Sequence, residues 1–379
     1  MDQNSSRIVA GESNTGRYGL VCQYQFEDGS SQFIFLQIGD KSGAIGINPS
    51  LSFCTENYLQ VLSSCKGLLL LSSIGELGLK YHVFNPNSKH VLTLPQHSIT
   101  RHVIRSGLAF DGNHYQVVLA HVADTEGAFG GLEMEIFSSD TGKWRRFHPK
   151  NLFLPIPAPD FEFPELKTHP LFCNGAIHWE IGGHLLVYQV EDDHCELIEL
   201  PNFSEDWCWQ SALTYKRCLS ESQGRANYTY TDFEGVHTWI LLSEYDHDYY
   251  SNYSIYDRKK FRWGLARSVN HQDLNLKHQE TYFHLGQRKW EPYDASPIAV
   301  CEDSETLYLQ LPGTVVSYNT RTDVLEQVCT YSFPGENFNC CSFLPLTYGR
   351  QIEGESASES LEVGVVDLPI KEKLRTLAF

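Results

Sequence analysis

The residues in this chain best suited to chemistry lie in one short string, Cys173-Asn174-Gly175-Ala176-Ile177-His178-Trp179-Glu180. His178 and Glu180 are two positions apart, so on an extended strand their side chains share a face while Trp179 points to the other. An imidazole beside a carboxylate can exchange protons with a substrate, or supply two ligands to a metal. Zinc asks for at least a third protein ligand, and the string holds none on the same face. His178 and Glu180 are therefore the catalytic candidates, set against the alternative of a histidine hydrogen-bonded between packed sheets.

Other reactive residues are scattered. His271, His278 and His284 lie near Asp273 and Glu280, at a spacing that matches no zinc signature. Cys340 and Cys341 are adjacent, so on a strand they face opposite ways. Asp206, Asp232, Glu234, Asp246 and Asp248 supply carboxylates for a hydrolytic pair, but nothing in their spacing makes two of them converge. Phe-Gly-Gly-Leu-Glu at 129–133 follows no parallel strand and opens no long helix, so the dinucleotide-binding reading fails. Neither a nucleophile elbow nor a phosphate loop is present, and no cofactor or metal is expected.

Recognition has better material. Trp207 and Trp209 flank Cys208, and Tyr245, Tyr249, Tyr250 and Tyr253 crowd a later insertion. Tyr and Trp combine rigid apolar area with a polar handle, as binding anchors do. These six are the predicted binding residues, with loop packing over sheet edges as the competing account.

Something must hold such loops in place. Apolar residues almost nowhere keep a helical period; short apolar runs alternate with turn residues instead, as sheets require. Hairpins turn at Asp28-Gly29, near Pro86, Asp140, Asp192, Asp257 and Thr320, at separations of 58, 54, 52, 65 and 63 residues. Each hairpin after the first has apolar strands upstream, among them 67–73, 108–122, 171–181, 224–242 and 296–312. Gly67, Gly175 and Gly224 sit at strand starts, where a missing side chain suits a bulge or a close approach. Three or four antiparallel strands in such a length make one propeller blade, which must stack on neighbours to cover its faces.

The predicted fold is therefore all-β, a six-bladed β-propeller of antiparallel blades over 1–350. An acidic flexible segment at 351–360 and a C-terminal segment at 361–379 follow, the latter able to dock as a short strand and helical turn. Either YGLVCQY near the start or CSFLPLTYG near the end can supply the closing strand. Of the long insertions, 152–170 is proline-rich and cannot form a regular internal strand, while 202–218 and 268–295 carry a single helical turn at best. Exposed loops on a rigid scaffold are where recognition concentrates.

Composition fits that frame. Aromatics make up 13% of the 379 residues, with 20 Tyr and 21 Phe against 2 Met, which suits pleated surfaces. The formal charge of −18 repels phosphate backbones. The strongest basic cluster, Arg-Lys-Lys-Phe-Arg at 258–262, falls in a hairpin turn, so nucleic acid is not an expected partner. No apolar run approaches eighteen residues, and the N-terminus lacks a secretory signal, so no membrane association is expected. The 11 cysteines are scattered and often lie in apolar runs, as reduced thiols in a cytoplasmic or nuclear protein do.

Several blocks, in order, carry a family likeness. SSCKGLLLL followed by YHVFNPNSKHVLTLP closely resembles the plant F-box-associated domain. The likeness continues through YQVVLAHV, MEIFSSDTGKWR, LFCNGAIHWEI, CLSESQGRANYTYTDFEGVHTWIL and LYLQLPGTVVSYNTRTDVLEQV. It implies a substrate-recruiting module of a ubiquitin ligase. Members commonly carry an N-terminal F-box that holds the ligase adaptor. Residues 1–16 are too short and polar for that module, so direct adaptor docking is not expected. The expected function is non-enzymatic protein recognition, with a partner of basic surface or a larger assembly. The alternative is a small-molecule-binding or hydrolytic propeller using a central-channel pocket.

Overall fold

In the computed structural model the chain folds as a succession of antiparallel sheets, five of them built from strands consecutive in sequence. The structure describes residues 17–25, 31–38, 59–75, 78–86, 88, 90–98, 103–123, 130–149, 152–154, 168–181, 183–201, 216–244, 260–277, 295–301, 305–311, 314–330 and 341–348. The expectations at 351–360 and 361–379 lie outside them.

The chain opens with the hairpin β1 (Arg17–Gln25) and β2 (Ser31–Ile38). The first blade is β3 (Gln60–Cys65), β4 (Leu68–Gly75), β5 (Gly78–Asn85) and β6 (His90–Thr93). The second is β7 (Val103–Phe110), β8 (Tyr115–Ala123), β9 (Gly130–Ser138) and β10 (Lys143–Phe147), with β11 (Phe153–Leu154) added to β9. The third is β12 (Leu171–Cys173), β13 (Ala176–Ile181), β14 (His184–Gln189) and β15 (His194–Glu199). The fourth is β16 (Lys216–Ser222), β17 (Arg225–Thr231), β18 (Gly235–Glu244) and β19 (Lys260–Asn270), followed by the short helix α1 (His271–Lys277). The fifth is β20 (Ser296–Cys301), β21 (Thr306–Leu311), β22 (Thr314–Asn319) and β23 (Val324–Thr330). Last comes β24 (Cys341–Tyr348).

The six-bladed expectation is overturned: the propeller has five blades. Five sheets have the complete strand order of a blade, whereas among the described residues the first hairpin gains one strand and has the order β2-β1-β24. Every other hairpin follows apolar strand runs of its own. The first instead pairs with β24 from the far end of the sequence, Tyr18 opposite Thr347 and Tyr24 opposite Cys341. Both segments proposed for closure thus lie in one sheet, against each other. The first strands β3, β7, β12, β16 and β20 pack in succession, and β24 packs between β20 and β3. The basic cluster is also placed differently: Lys260 and Arg262 already belong to β19 rather than to a turn.

Turn chemistry explains why the strands fold back where they do. Three of the turns from first to second strand are Lys66-Gly67, Asn174-Gly175 and Gln223-Gly224, with φ positive at both residues of each pair. That mirror-image geometry matches strand twist and favours glycine at the second place. A Cβ at Gly175 or Gly224 would meet nothing within 4 Å, so backbone conformation, not crowding, selects glycine there. Turns from third to fourth strand end instead on one left-handed residue, Gly142, Asp193 or Asp323. In two of them a strand tyrosine, Tyr188 or Tyr318, donates to that aspartate.

Alternation along each strand then builds a core between every neighbouring pair of described blades. On β13, Ile177, Trp179 and Ile181 join Met134 and Ile136 of the second blade. Ala176, on the opposite face, joins Leu219 and Tyr228 of the fourth. Trp179 is 1% exposed and its indole N–H donates to the Ser106 carbonyl at 2.8 Å. It can lie that close because β7 has Gly107 there; a Cβ would stand 2.8 Å from the indole and 2.7 Å from Ile177. On the outer strands Trp144 donates to Pro95 O at 2.8 Å and Trp263 to Glu199 O at 2.7 Å, each tying a blade to the end of the one before it.

Candidate functional site

Each blade begins at the end of the propeller where the chain crosses over from its predecessor. β7 and β16 run away from that crossover end, β13 runs back towards it, and Arg105, Arg217 and Glu180 therefore meet beneath it. His178 and Glu180 both face the fourth blade, as their spacing predicts, with Trp179 directed to the second.

Neither side chain is open to solvent. Glu180 is 2% exposed, and its carboxylate is ion-paired with the buried Arg217 guanidinium. Arg105 binds the same residue through its backbone: Nε and Nη2 donate to the Glu180 carbonyl at 3.1 and 3.0 Å, and Nη1 to Ile104 O at 2.7 Å. Burial raises the Glu180 carboxyl above the ordinary carboxylate range, with Arg217, Arg105 and Thr168 pulling the other way. Burial also brings Arg105 down to about 10, against the pull of Glu180. Burial works against charge on Arg217 as well, but Glu180 and Tyr228 outweigh it and hold the guanidinium firmly protonated. One residue, Glu180, thus links three blades, through its carboxylate and its carbonyl.

His178 is 5% exposed, with Nδ1 at 3.3 Å from the Leu171 carbonyl across the strand pair, which fixes that nitrogen as the donor. Burial pushes its pKa down to about 4, against the backbone hydrogen bonds, so the ring is neutral at physiological pH. The geometry engages both side chains in contacts within and between blades. Sequence reasoning missed Arg105, Arg217 and Tyr228, because their meeting with Glu180 depends on which strands become neighbours.

A second polar arrangement lies at the crossover end of the fourth blade. Between β17 and β18 the turn Asp232-Phe233-Glu234-Gly235 is tied from several sides. Asp232 Oδ1 accepts the backbone N–H groups of Glu234 and Gly235 at 2.8 and 3.0 Å and lies 3.1 Å from His237 Nε2. The His271 N–H donates to Glu234 O at 3.1 Å, and its Nε2 lies 3.0 Å from the Asp232 carbonyl. His271 thus opens α1 as a clamp on this turn. His278, His284 and Glu280 lie outside the described residues. Among the described residues no group of three His, Cys, Asp or Glu side chains could hold a metal ion, and no helix is long and apolar enough to cross a membrane.

Cys65, Cys173, Cys195 and Cys218 are free thiols in strands. Burial pushes each up to about 12, leaving them unreactive small hydrophobes. Trp207, Trp209, Tyr245, Tyr249, Tyr250 and Tyr253, together with Asp206, Asp246 and Asp248, lie outside the described residues.

The architecture agrees with that of one known family. The family model described as "F-box protein At3g26010-like, beta-propeller" matches residues 40–291, about two thirds of the chain. No curated protein matches it. Similar solved structures include TolB from Acinetobacter baumannii, at 8% identity over 89% of this chain and 67% of that one, with a TM-score of 0.43. A chain of a nidogen/laminin complex is 10% identical over 87% of this chain and 98% of that one, with a TM-score of 0.40. A functionally unknown protein from Desulfotomaculum acetoxidans DSM 771 is 10% identical over 83% and 80%, with a TM-score of 0.38.

Proposed function

The chain belongs to the At3g26010-like family of F-box-protein β-propellers, and from that membership we propose that it is a non-enzymatic protein-recognition module, a receptor that recruits substrates to a ubiquitin ligase. The family match is the observation that carries this reading. Supporting it, the His178 and Glu180 side chains are occupied by contacts within and between blades. A stiff scaffold with long insertions suits recognition, since rigid strands fix the positions from which loops reach a partner. The charge of −18 favours a partner with a basic surface and speeds the encounter at low salt.

Affinity purification of the tagged full chain, followed by quantitative mass spectrometry, tests the reading. The expected result is one protein recovered at near-stoichiometric yield. Recovery of no specific protein would overturn it. Adaptor recovered together with the partner would put the module inside a ligase, whereas partner alone would mean recognition uncoupled from ubiquitin transfer.

A further inference from the structure

Single exposed hydrophobic residues are ordinary on any protein surface. Phe233 differs from the rest in three ways. Among the described residues it is the most exposed of the large hydrophobics, at 65%, and the only aromatic one in that group. It sits at the tip of a turn held by backbone N–H groups donating to Asp232 and by hydrogen bonds from His237 and His271, so its backbone needs little further ordering on binding. The turn is also braced from below. A Cβ at Gly235 would stand 2.1 Å from the Val269 carbonyl, so glycine lets β18 settle directly on β19.

The charged side chains of the turn itself are acidic, while Lys216 stands opposite Thr231 at its foot on β16. Glu234 beside it and Asp273 in the first turn of α1 are both exposed acids. His271 stays neutral at physiological pH because burial lowers its pKa. The crossover end also carries Ile74 and Leu79, exposed and opposite one another in the corresponding turn of the first blade. A rigid aromatic tip flanked by acids has the form of a binding hot spot, and it complements an apolar pocket with basic residues at its rim.

We infer that the Asp232–Gly235 turn is a docking knob, and that Phe233 enters an apolar, basic-rimmed pocket on a partner protein. This rests on the recognition reading above. The turn supplies the anchor, Glu234 and Asp273 steer the rim, and the partner meets the propeller at its crossover end.

The test uses the tagged full chain carrying photoreactive benzoylphenylalanine at position 233 or, separately, in place of Leu265 on the outer strand of the same blade. The protein crosslinked on irradiation is identified, purified, and titrated against the chain and its variants. A crosslink to one protein from position 233 and not from 265 is expected. Phe233→Ala should then weaken binding of that purified protein about thirtyfold, and Glu234→Lys should weaken it more at low salt than at high. Thermal midpoints should not move, since the ring is largely in solvent. Binding by Phe233→Ala as tight as by the unmodified chain would overturn the docking knob and leave the recognition reading standing. A crosslink only to a second copy of this chain would also overturn it. If affinity purification recovers no partner at all, both readings fall together.

Discussion

His178 is held as a neutral imidazole, and that has a measurable cost in acid. In the unfolded chain the ring titrates near 6.5; in the fold burial brings it down to about 4. Between those values the unfolded state binds more protons, so the stability present above pH 6.5 drains away as pH falls towards 4. The window corresponds to about 3 kcal/mol. His178→Asn keeps a donor near the Leu171 carbonyl and removes the titration. Denaturant melts across pH 4 to 7 should therefore show a flatter acid limb in the variant, with His169 and His271, which burial also lowers, leaving a residual slope. Identical limbs would show that His178 titrates normally. The shared face of His178 and Glu180 was legible two residues apart in the sequence. Their partners were not: Arg217 lies 37 residues from Glu180 and Arg105 lies 75 away, and no local pattern announces either.

Elements are joined by backbone proximity as much as by side-chain area. Trp179 lies close against β7 because Gly107 leaves room. Gly107→Ala would force the indole and Ile177 aside in a packed core, an overpacking that costs roughly 1–3 kcal/mol. The measurement is a urea midpoint, which should fall with an unchanged slope; an unshifted midpoint would mean that the interface between the second and third blades yields freely. Turn residues were the most legible feature at this scale. Asn174-Gly175 is the clearest case, its two residues taking the left-handed backbone that asparagine and glycine favour. The reason assigned to the strand-start glycines shifted from close approach to backbone conformation. The contacts that do demand glycine, at 107 and 235, fell where nothing in the sequence distinguished them.

Closure is the property of the whole molecule. Gln23 on β1 donates from its amide nitrogen to Leu59 O and accepts the Val61 N–H with its amide oxygen, both at 2.8 Å, so one buried side chain completes the ladder between the closing sheet and the first blade. Gln23→Ala leaves a buried donor and acceptor unpaired, a loss of about 3 kcal/mol. Thermal or denaturant unfolding should shift by that amount and remain one transition, because the closing sheet shares a core with the first blade through Val21, Val61 and Leu69. Loss of a separate early phase instead would mean that the termini close the ring independently. The sequence by itself determined the strand class, the hairpins, the blade-sized repeat and the family likeness, since alternation and turn residues are local and each blade encodes its own. It overcounted the blades, because a hairpin looks the same whether its neighbours complete a sheet or a strand arrives from more than three hundred residues away. Only the tertiary structure decided which carboxylate met which arginine, which glycine was crowded, and that Phe233 stands on a braced turn. Those outcomes depend on which strands face each other across blades, and that is set by packing around a common axis rather than by spacing along the chain.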